Sequence, residues 1–184
     1  MPVMGQPAPF FLATGRLGFR TWGEADLPLA LALWGDPQVT RLIGGPFSEA
    51  QVRERLEREI ATQRSHRIQY WPFFLLAGGE FIGCAGVRPY RTEENVLELG
   101  VHLCSAFWGR GYAREAAQAV IGYAFTELGA SGLFAGHHPS NTSSRILLEK
   151  LGFRFTHEEL YPPTGLNHPS YFLPAPRRAS GDAP

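Results

Sequence analysis

Residues 106–116 read AFWGRGYAREA. Gly109, Gly111 and Ala113 alternate with larger residues, Arg110 and Arg114 bring positive charge, and the first carboxylate is delayed to Glu115. A helix N-terminus leaves its first N–H groups unpaired and carries the positive end of the helix dipole. Small residues there let a phosphate approach the backbone closely, so the run reads as an anion seat. Other phosphate loops fit worse. The P-loop needs G-x-x-x-x-G-K-[ST], which the chain lacks. The dinucleotide fingerprint fails at its third glycine, where Arg114 stands, and the run lies deep in the chain instead of after an opening strand. The competing reading is a tight turn that uses glycine only for its dihedrals.

Two further groups could do chemistry. In NVLELGVHL (95–103), Leu97, Leu99, Val101 and Leu103 alternate with Glu98, Gly100 and His102, so the second set shares one face of a strand. Glu98 is a candidate base, although a solvated face or a salt bridge explains an arbitrary glutamate far better. It cannot form a direct dyad with His102, because four residues of strand separate their backbones by ~13 Å. A bulge in this strand would spoil the alternation. Downstream, SNTSSRILLEKLG (140–152) reads as a helix capped by Ser140 or Asn141 and ended by Gly152. His137 and His138 precede it and read as packing or hydrogen-bonding residues. No His, Cys or carboxylate cluster has metal-ligand spacing.

The elements that must hold these groups follow from periodicity and turn signals. RLGFRTW (16–22) reads as a strand, and residues 24–36 as a helix stopped by Gly35-Asp36-Pro37. Residues 48–63 form a second helix, with Ser48 and Gln51 at capping-box spacing and a charged face that reads as solvated. Residues 70–90 give two strands around Gly78-Gly79. A strand at 95–103 leads to a helix at 111–128, whose Ala113, Ala116, Ala117, Val120, Ile121, Ala124 and Leu128 recur every three or four residues. A strand at 132–138, the helix at 140–152, and strands in FRFTHEEL and PSYFL complete the chain. The order β-α-α-β-β-β-α-β-α-β-β predicts an α/β (α+β) mixed sheet of about seven strands with helices on its faces.

With 184 residues, one domain is expected over 15–173, between loosely packed segments at 1–14 and 174–184. Its 17 basic and 17 acidic residues cancel, which argues against a general nucleic-acid binder and makes any anion site local. Cys84 and Cys104 match neither a disulfide framework nor a zinc pattern and read as buried thiols. MPVMGQPAPFF is no secretory signal, and no apolar run reaches membrane-spanning length, so the expected setting is the cytoplasm.

The run ELGVHLCSAFWGRGYAREAA, followed about thirty residues later by HPSNTSSRILLEKLGF, resembles the GNAT superfamily of acyl-CoA-dependent N-acyltransferases. RLGFRTWGEAD also resembles the opening of its RimJ/RimL-like branch, which includes ribosomal-protein N-terminal acetyltransferases. The resemblance implies a mostly antiparallel sheet and acetyl-CoA as cosubstrate, with no metal. The family's pyrophosphate motif [RQ]-x-x-G-x-[GA] falls on Trp108, Gly109, Arg110, Gly111, Tyr112 and Ala113, with Trp108 where Arg or Gln is usual. It implies a pantetheine arm pairing with backbone near Val101 and Leu103, as an added strand would. It places Asn141 against that arm and raises Glu98 as general base. The tyrosine that often protonates the departing thiolate is replaced by Leu148, leaving Ser144 or water as the acid. Ser144 by itself reads as a mid-helix packing or surface residue.

The implied partners are acetyl-CoA and an amine, either a protein N-terminus or a small molecule, met by the two N-terminal helices and the loop 161–171. Neither nucleic acid nor membrane is expected, and a homodimer is left open. Glu49, Glu54, Glu57 and Glu59 could attract a cationic acceptor, but a solvated helix face accounts for them better. Attack by a neutral amine costs ~1.4 kcal/mol of deprotonation at pH 7 for an α-amine and ~4.6 for a lysine. A ping-pong route through Cys104 lacks a partner base. The alternatives are a catalytically silent acyl-CoA-binding sensor and a dinucleotide-binding module.

Overall fold

The computed structural model describes residues 10–176. Chain order gives strand β1 (Leu12–Ala13), β2 (Leu17–Phe19), a 3-10 turn at Glu24–Asp26, and helices α1 (Leu27–Trp34), α2 (Pro37–Thr40) and α3 (Glu49–His66). Strands β3 (Tyr70–Leu75), β4 (Phe81–Arg91) and β5 (Val96–Leu103) follow, then helix α4 (Tyr112–Thr126), strand β6 (Gly132–Gly136), helix α5 (Thr142–Lys150), and strands β7 (Arg154–Tyr161) and β8 (Leu166–Pro174). They build one 8-stranded sheet in the order β1-β2-β3-β4-β5-β6-β8-β7. Every neighbouring pair is antiparallel except β5 with β6.

Local chemistry sets the boundaries. Ser48 and Gln51 form the expected capping box, with Ser48 N–H donating to Gln51 Oε1 at 2.8 Å and Gln51 N–H to Ser48 Oγ at 3.3 Å. Asp36 caps α2 by accepting from Gln38 N–H at 2.8 Å, so the expected stop at Gly35-Asp36-Pro37 also starts a new turn of helix. The helix expected over 24–36 is correspondingly split between a 3-10 turn and α1.

Several other expectations are corrected. Leu12–Ala13 lies inside the segment read as loosely packed, yet pairs with β2; residues 1–9 are outside the described range. Pro174 belongs to β8, and Ala175 N–H donates to Ser131 O at 2.9 Å; the rest of the tail from 177 is outside that range. The loop expected over 161–171 is mostly strand β8.

The two faces of the sheet carry separate apolar packings. On one, α4 and α5 bring Ala116, Val120, Ala124 and Leu148 against Leu97, Leu99 and Leu133. On the other, α1 and α3 bring Leu33, Trp34, Val52, Leu56 and Ile60 against Tyr70 and Cys84. The alternation read in β5 holds, because the register shift with β4 falls between Pro89 and Arg91 and spares 97–103.

Glu59 does not belong to a solvated face. Only 1% of its side chain is exposed; it pairs with Arg88 of β4 and accepts from Tyr70 N–H at 2.9 Å. This pins α3 to the sheet. Glu59→Ala would leave both donors without their acceptor. Because Arg88 is 33% exposed, the expected loss sits near the low end of the range for a broken buried pair, about 3 kcal/mol. Glu57→Ala, on the exposed side of α3, should stay within about 0.5 kcal/mol. Urea unfolding of the two variants checks the contrast.

Candidate active site

The turn into α4 keeps its amides free. Gly111 is the N-cap in the left-handed region, at φ 80°, and supplies no side-chain cap; Gly109 is also left-handed, at φ 75°. Trp108 N–H donates to Ser105 O, and the regular ladder resumes with Glu115 N–H to Gly111 O. Among the described residues, no main-chain N–H from Gly109 to Arg114 finds a protein acceptor. A Cβ at Gly109 would meet nothing within 4 Å, so the corner is open in front of those amides. Glycine is therefore needed for its dihedrals, and the same dihedrals expose an anion seat.

Arg16 is a site residue that sequence reading missed. Its Nε donates to Glu115 Oε2 at 2.6 Å, its Nη1 to Arg110 O at 3.3 Å, and its guanidinium covers the Tyr112 ring at 4.4 Å. Thr14 Oγ1 also donates to Glu115, at 2.6 Å. The delayed carboxylate thus ties the first strands to the start of α4 and leaves a third cation beside Arg110 and Arg114. Arg16 and Glu115 are 99 positions apart in the chain, so no local pattern could have shown it.

The strand leading into this corner is open along one edge. Cys104 N–H donates to Ile82 O, so the even-numbered residues of β5 turn their backbone groups toward β4 and the odd-numbered ones away from it. Pairing with β6 covers only Val96↔Gly132, Leu97↔Leu133 and Glu98↔Phe134. Beyond that point the strands part, and the backbone groups of Val101 are directed into the gap. Leu103 is only half available: its carbonyl accepts the Trp108 indole N–H at 2.9 Å, and its N–H remains. Trp108 thereby seals the strand end, a role its place in the motif did not suggest.

Glu98, Gly100 and His102 face α1 and α3. The Tyr70 ring lies directly over Gly100, where no side chain would fit. His102 Nδ1 accepts the Trp34 indole N–H at 3.1 Å, and burial, with the charges of Arg55 and Arg88, holds its pKa well below the usual histidine value. His102 is a neutral wall residue. Glu98 stands opposite Arg88 in the β4–β5 register. Burial pushes its pKa above the ordinary glutamate value, against the pull of the Arg88 charge and the Tyr70 hydroxyl. A carboxylate held this way is a better proton acceptor than a solvated one.

On the far side of the gap, Asn141 caps α5 by accepting from Ser144 N–H at 3.0 Å. Both residues stand in the first turn of that helix. Leu148 is buried in the core, so the position of the family tyrosine contributes nothing to the gap. His137 is buried and its ring nitrogens face His138 O at 2.8 Å and the Tyr171 hydroxyl at 3.3 Å; it serves packing. Burial, with the Asp36 carboxylate nearby, pushes the Cys104 thiol up to about 11.

The chain as a whole is similar to known proteins. Residues 16–154 match the family model described as the acetyltransferase (GNAT) domain. The chain belongs to the GNAT acetyltransferase family. It is 30% identical over 145 residues to an uncharacterized N-acetyltransferase, p20, of Bacillus licheniformis, covering 78% of this chain and 82% of that protein. It is 28% identical over 181 residues to the FsC-acetyl coenzyme A-N(2)-transacetylase of Aspergillus fumigatus, covering 90% and 74%. Its fold superposes on RimL, the ribosomal L7/L12 alpha-N-protein acetyltransferase solved in complex with coenzyme A, with a TM-score of 0.76 at 15% identity, covering 90% and 97%. The GNAT domain is thus an N-acetyltransferase with a RimL-like fold.

Gly111→Val tests the amide corner. A β-branched residue at φ 80° is strained and crowds the approach. The folded variant should bind coenzyme A at least about tenfold more weakly by calorimetry, the loss of roughly one charge-assisted hydrogen bond. Unchanged affinity would move the diphosphate elsewhere.

Proposed function

We propose that this GNAT domain acetylates a primary amine from acetyl-CoA by direct attack in a ternary complex. The observation that carries the reading is the run of unpaired amides at Gly109–Arg114, continuous with the open edge of β5. The diphosphate of coenzyme A would sit on the backbone of Gly109, Arg110, Gly111, Tyr112 and Ala113; Trp108, expected from sequence to join them, spends its N–H on Ser105 O. The arm would pair along Val101 and the free N–H of Leu103, with Asn141 facing it from α5. No other described segment offers a comparable row of open donors.

The acceptor enters from the α1–α3 side of the sheet. Glu98, directly or through water, takes the proton of the ammonium group, and its raised pKa suits it to that work. The amine attacks the thioester carbonyl, whose developing charge takes an open N–H of β5. The departing thiolate is protonated by water or by Ser144. A protonated Cys104 thiol favours this direct route over an acyl-enzyme. A cytoplasmic setting, where acetyl-CoA is made and used, goes with the reading.

Glu98→Gln should lower kcat by about a hundredfold at neutral pH, the lower part of the range for lost general-base catalysis, while coenzyme A affinity is kept. The sign of the pH effect follows from the need for a free carboxylate. Wild-type kcat/KM should fall as pH drops through the raised Glu98 pKa, and the variant should lack that limb. A limb that survives in the variant would assign it to another group. Cys104→Ala should retain turnover; its loss would favour the acyl-enzyme route.

A further inference from the structure

The wall of the acceptor side carries a cation without an answer. Arg55 projects from α3, and its guanidinium lies over the Trp34 ring, 4.6 Å from the centroid. Its Nε is sealed from solvent and meets no hydrogen-bond partner among the described residues. The neighbouring arginines are matched: Arg88 with Glu59, Arg53 with Glu49 and Arg58 with Glu54. Burial and the Arg88 charge pull the pKa of Arg55 down, yet a guanidinium keeps its proton at neutral pH. A half-buried cation without an ion pair costs a fold stability. Cation–π contact with Trp34 offsets only part of that.

Arg55 lines a cavity of about 130 Å³ with Phe47, Gln51, Glu54 and Arg58. Glu54 is the one acid there, and Arg58 engages it at 3.9 Å. Trp34, beneath Arg55, is hydrogen-bonded to His102, and Arg88 covers Tyr70 at 4.1 Å. Two guanidinium groups therefore rest on the aromatic wall formed by Trp34, His102 and Tyr70, on the same face of β5 as Glu98. Of the two, Arg88 has an ion pair with Glu59 and Arg55 has none among the described residues; its charge reaches Glu98 only at longer range.

We propose that Arg55 receives a carboxylate of the acceptor, so that the amine acetylated here belongs to a carboxylate-bearing molecule. A planar guanidinium fork fits a carboxylate in bidentate fashion. One guanidinium without an ion pair answers one carboxylate, whereas a phosphate monoester carries roughly twice that charge. The cavity has room for about four waters by liquid volume, enough for a carboxylate and a carbon or two. Such an acceptor is an α-amino acid, or a peptide whose first residue is acidic. The assignment rests on the transferase reading above and narrows it; it also replaces the acidic-helix attraction for cations considered from sequence.

The test uses paired acceptors that differ only in the acid: α-amino acids against their α-amides, and peptides beginning with Asp or Glu against those beginning with Asn or Gln. Wild-type kcat/KM should favour the acid members of one series by about tenfold to a hundredfold, the range for a hydrogen bond to a charged group. The favoured series identifies the source of the carboxylate. Arg55→Gln should abolish the preference by raising KM for acid members far more than for amide members, and Arg55→Lys should restore part of it. Equal wild-type rates for acids and amides would overturn the assignment while acetyl transfer stands, whatever the stability of the variants. Transfer to no member of either series would overturn the assignment, and failure to bind acetyl-CoA would overturn the transferase reading with it.

Discussion

Everything in the site depends on where β5 and β6 stop pairing. A buried backbone amide must find a partner, and a sheet normally supplies it from the next strand. Here the parallel pair runs only to Glu98↔Phe134. Beyond it, β5 heads into the glycine turn before α4, and β6 heads into the capped start of α5. The two strands diverge toward different helices after this pair, and the seam opens between them. The backbone groups of Val101 and the N–H of Leu103 then need an external strand, as in other cases of β-augmentation. The same divergence directs the start of α4 at the gap, so a polar arm in the seam and an anion at its end are satisfied by one continuous run of main chain.

The opposite face of β5 is governed by side-chain charge instead. Glu59 is buried against Arg88 and the Tyr70 amide, which locks α3 onto β3 and β4. With Glu59 committed, Arg88 is neutralised and can lie over Tyr70 without leaving a free positive charge. Arg55, one turn earlier on α3, has no such counter-ion and rests on Trp34. A chain with no formal net charge thus keeps a guanidinium without an ion pair at one wall and a basic corner at the start of α4. Local excess, not net charge, decides what such a surface attracts.

These two halves differ in how far the sequence discloses them. The donor half is legible because backbone recognition leaves a local signature: glycines at φ 75° and 80°, a stripe of alanines behind them, and an alternating strand just before. Most elements could be read for the same reason, since capping and turn chemistry act over a few residues, as with Ser48 and Gln51. The acceptor half is built from pairs remote in sequence, Trp34 with His102 and Arg88 with Glu59, and the donor corner hides another, Arg16 with Glu115. Nothing near Glu59 distinguishes it from Glu57; only the fold places one inside and the other in water. Leu103 shows the limit within the legible half, because the indole that occupies its carbonyl lies five residues on and reads as a motif substitution.

Glu98 is where the two halves meet. It is the last residue of β5 to pair with β6, and it faces Arg88 across the β4 pairing. One residue therefore stands at the apex of the open seam while its carboxylate is directed to the charged wall. Had the strands parted two residues later, Val101 would have spent its backbone groups on β6, and an arm laid in the seam would end farther from the carboxylate. Had β5 carried a bulge at this point, the carboxylate would have turned toward α4 and the apolar core. Regular alternation through 97–103 and early divergence from β6 are both needed to bring a thioester and a deprotonating group to one place. Each is a property of backbone pairing, which is why a single glutamate among many can be singled out by register.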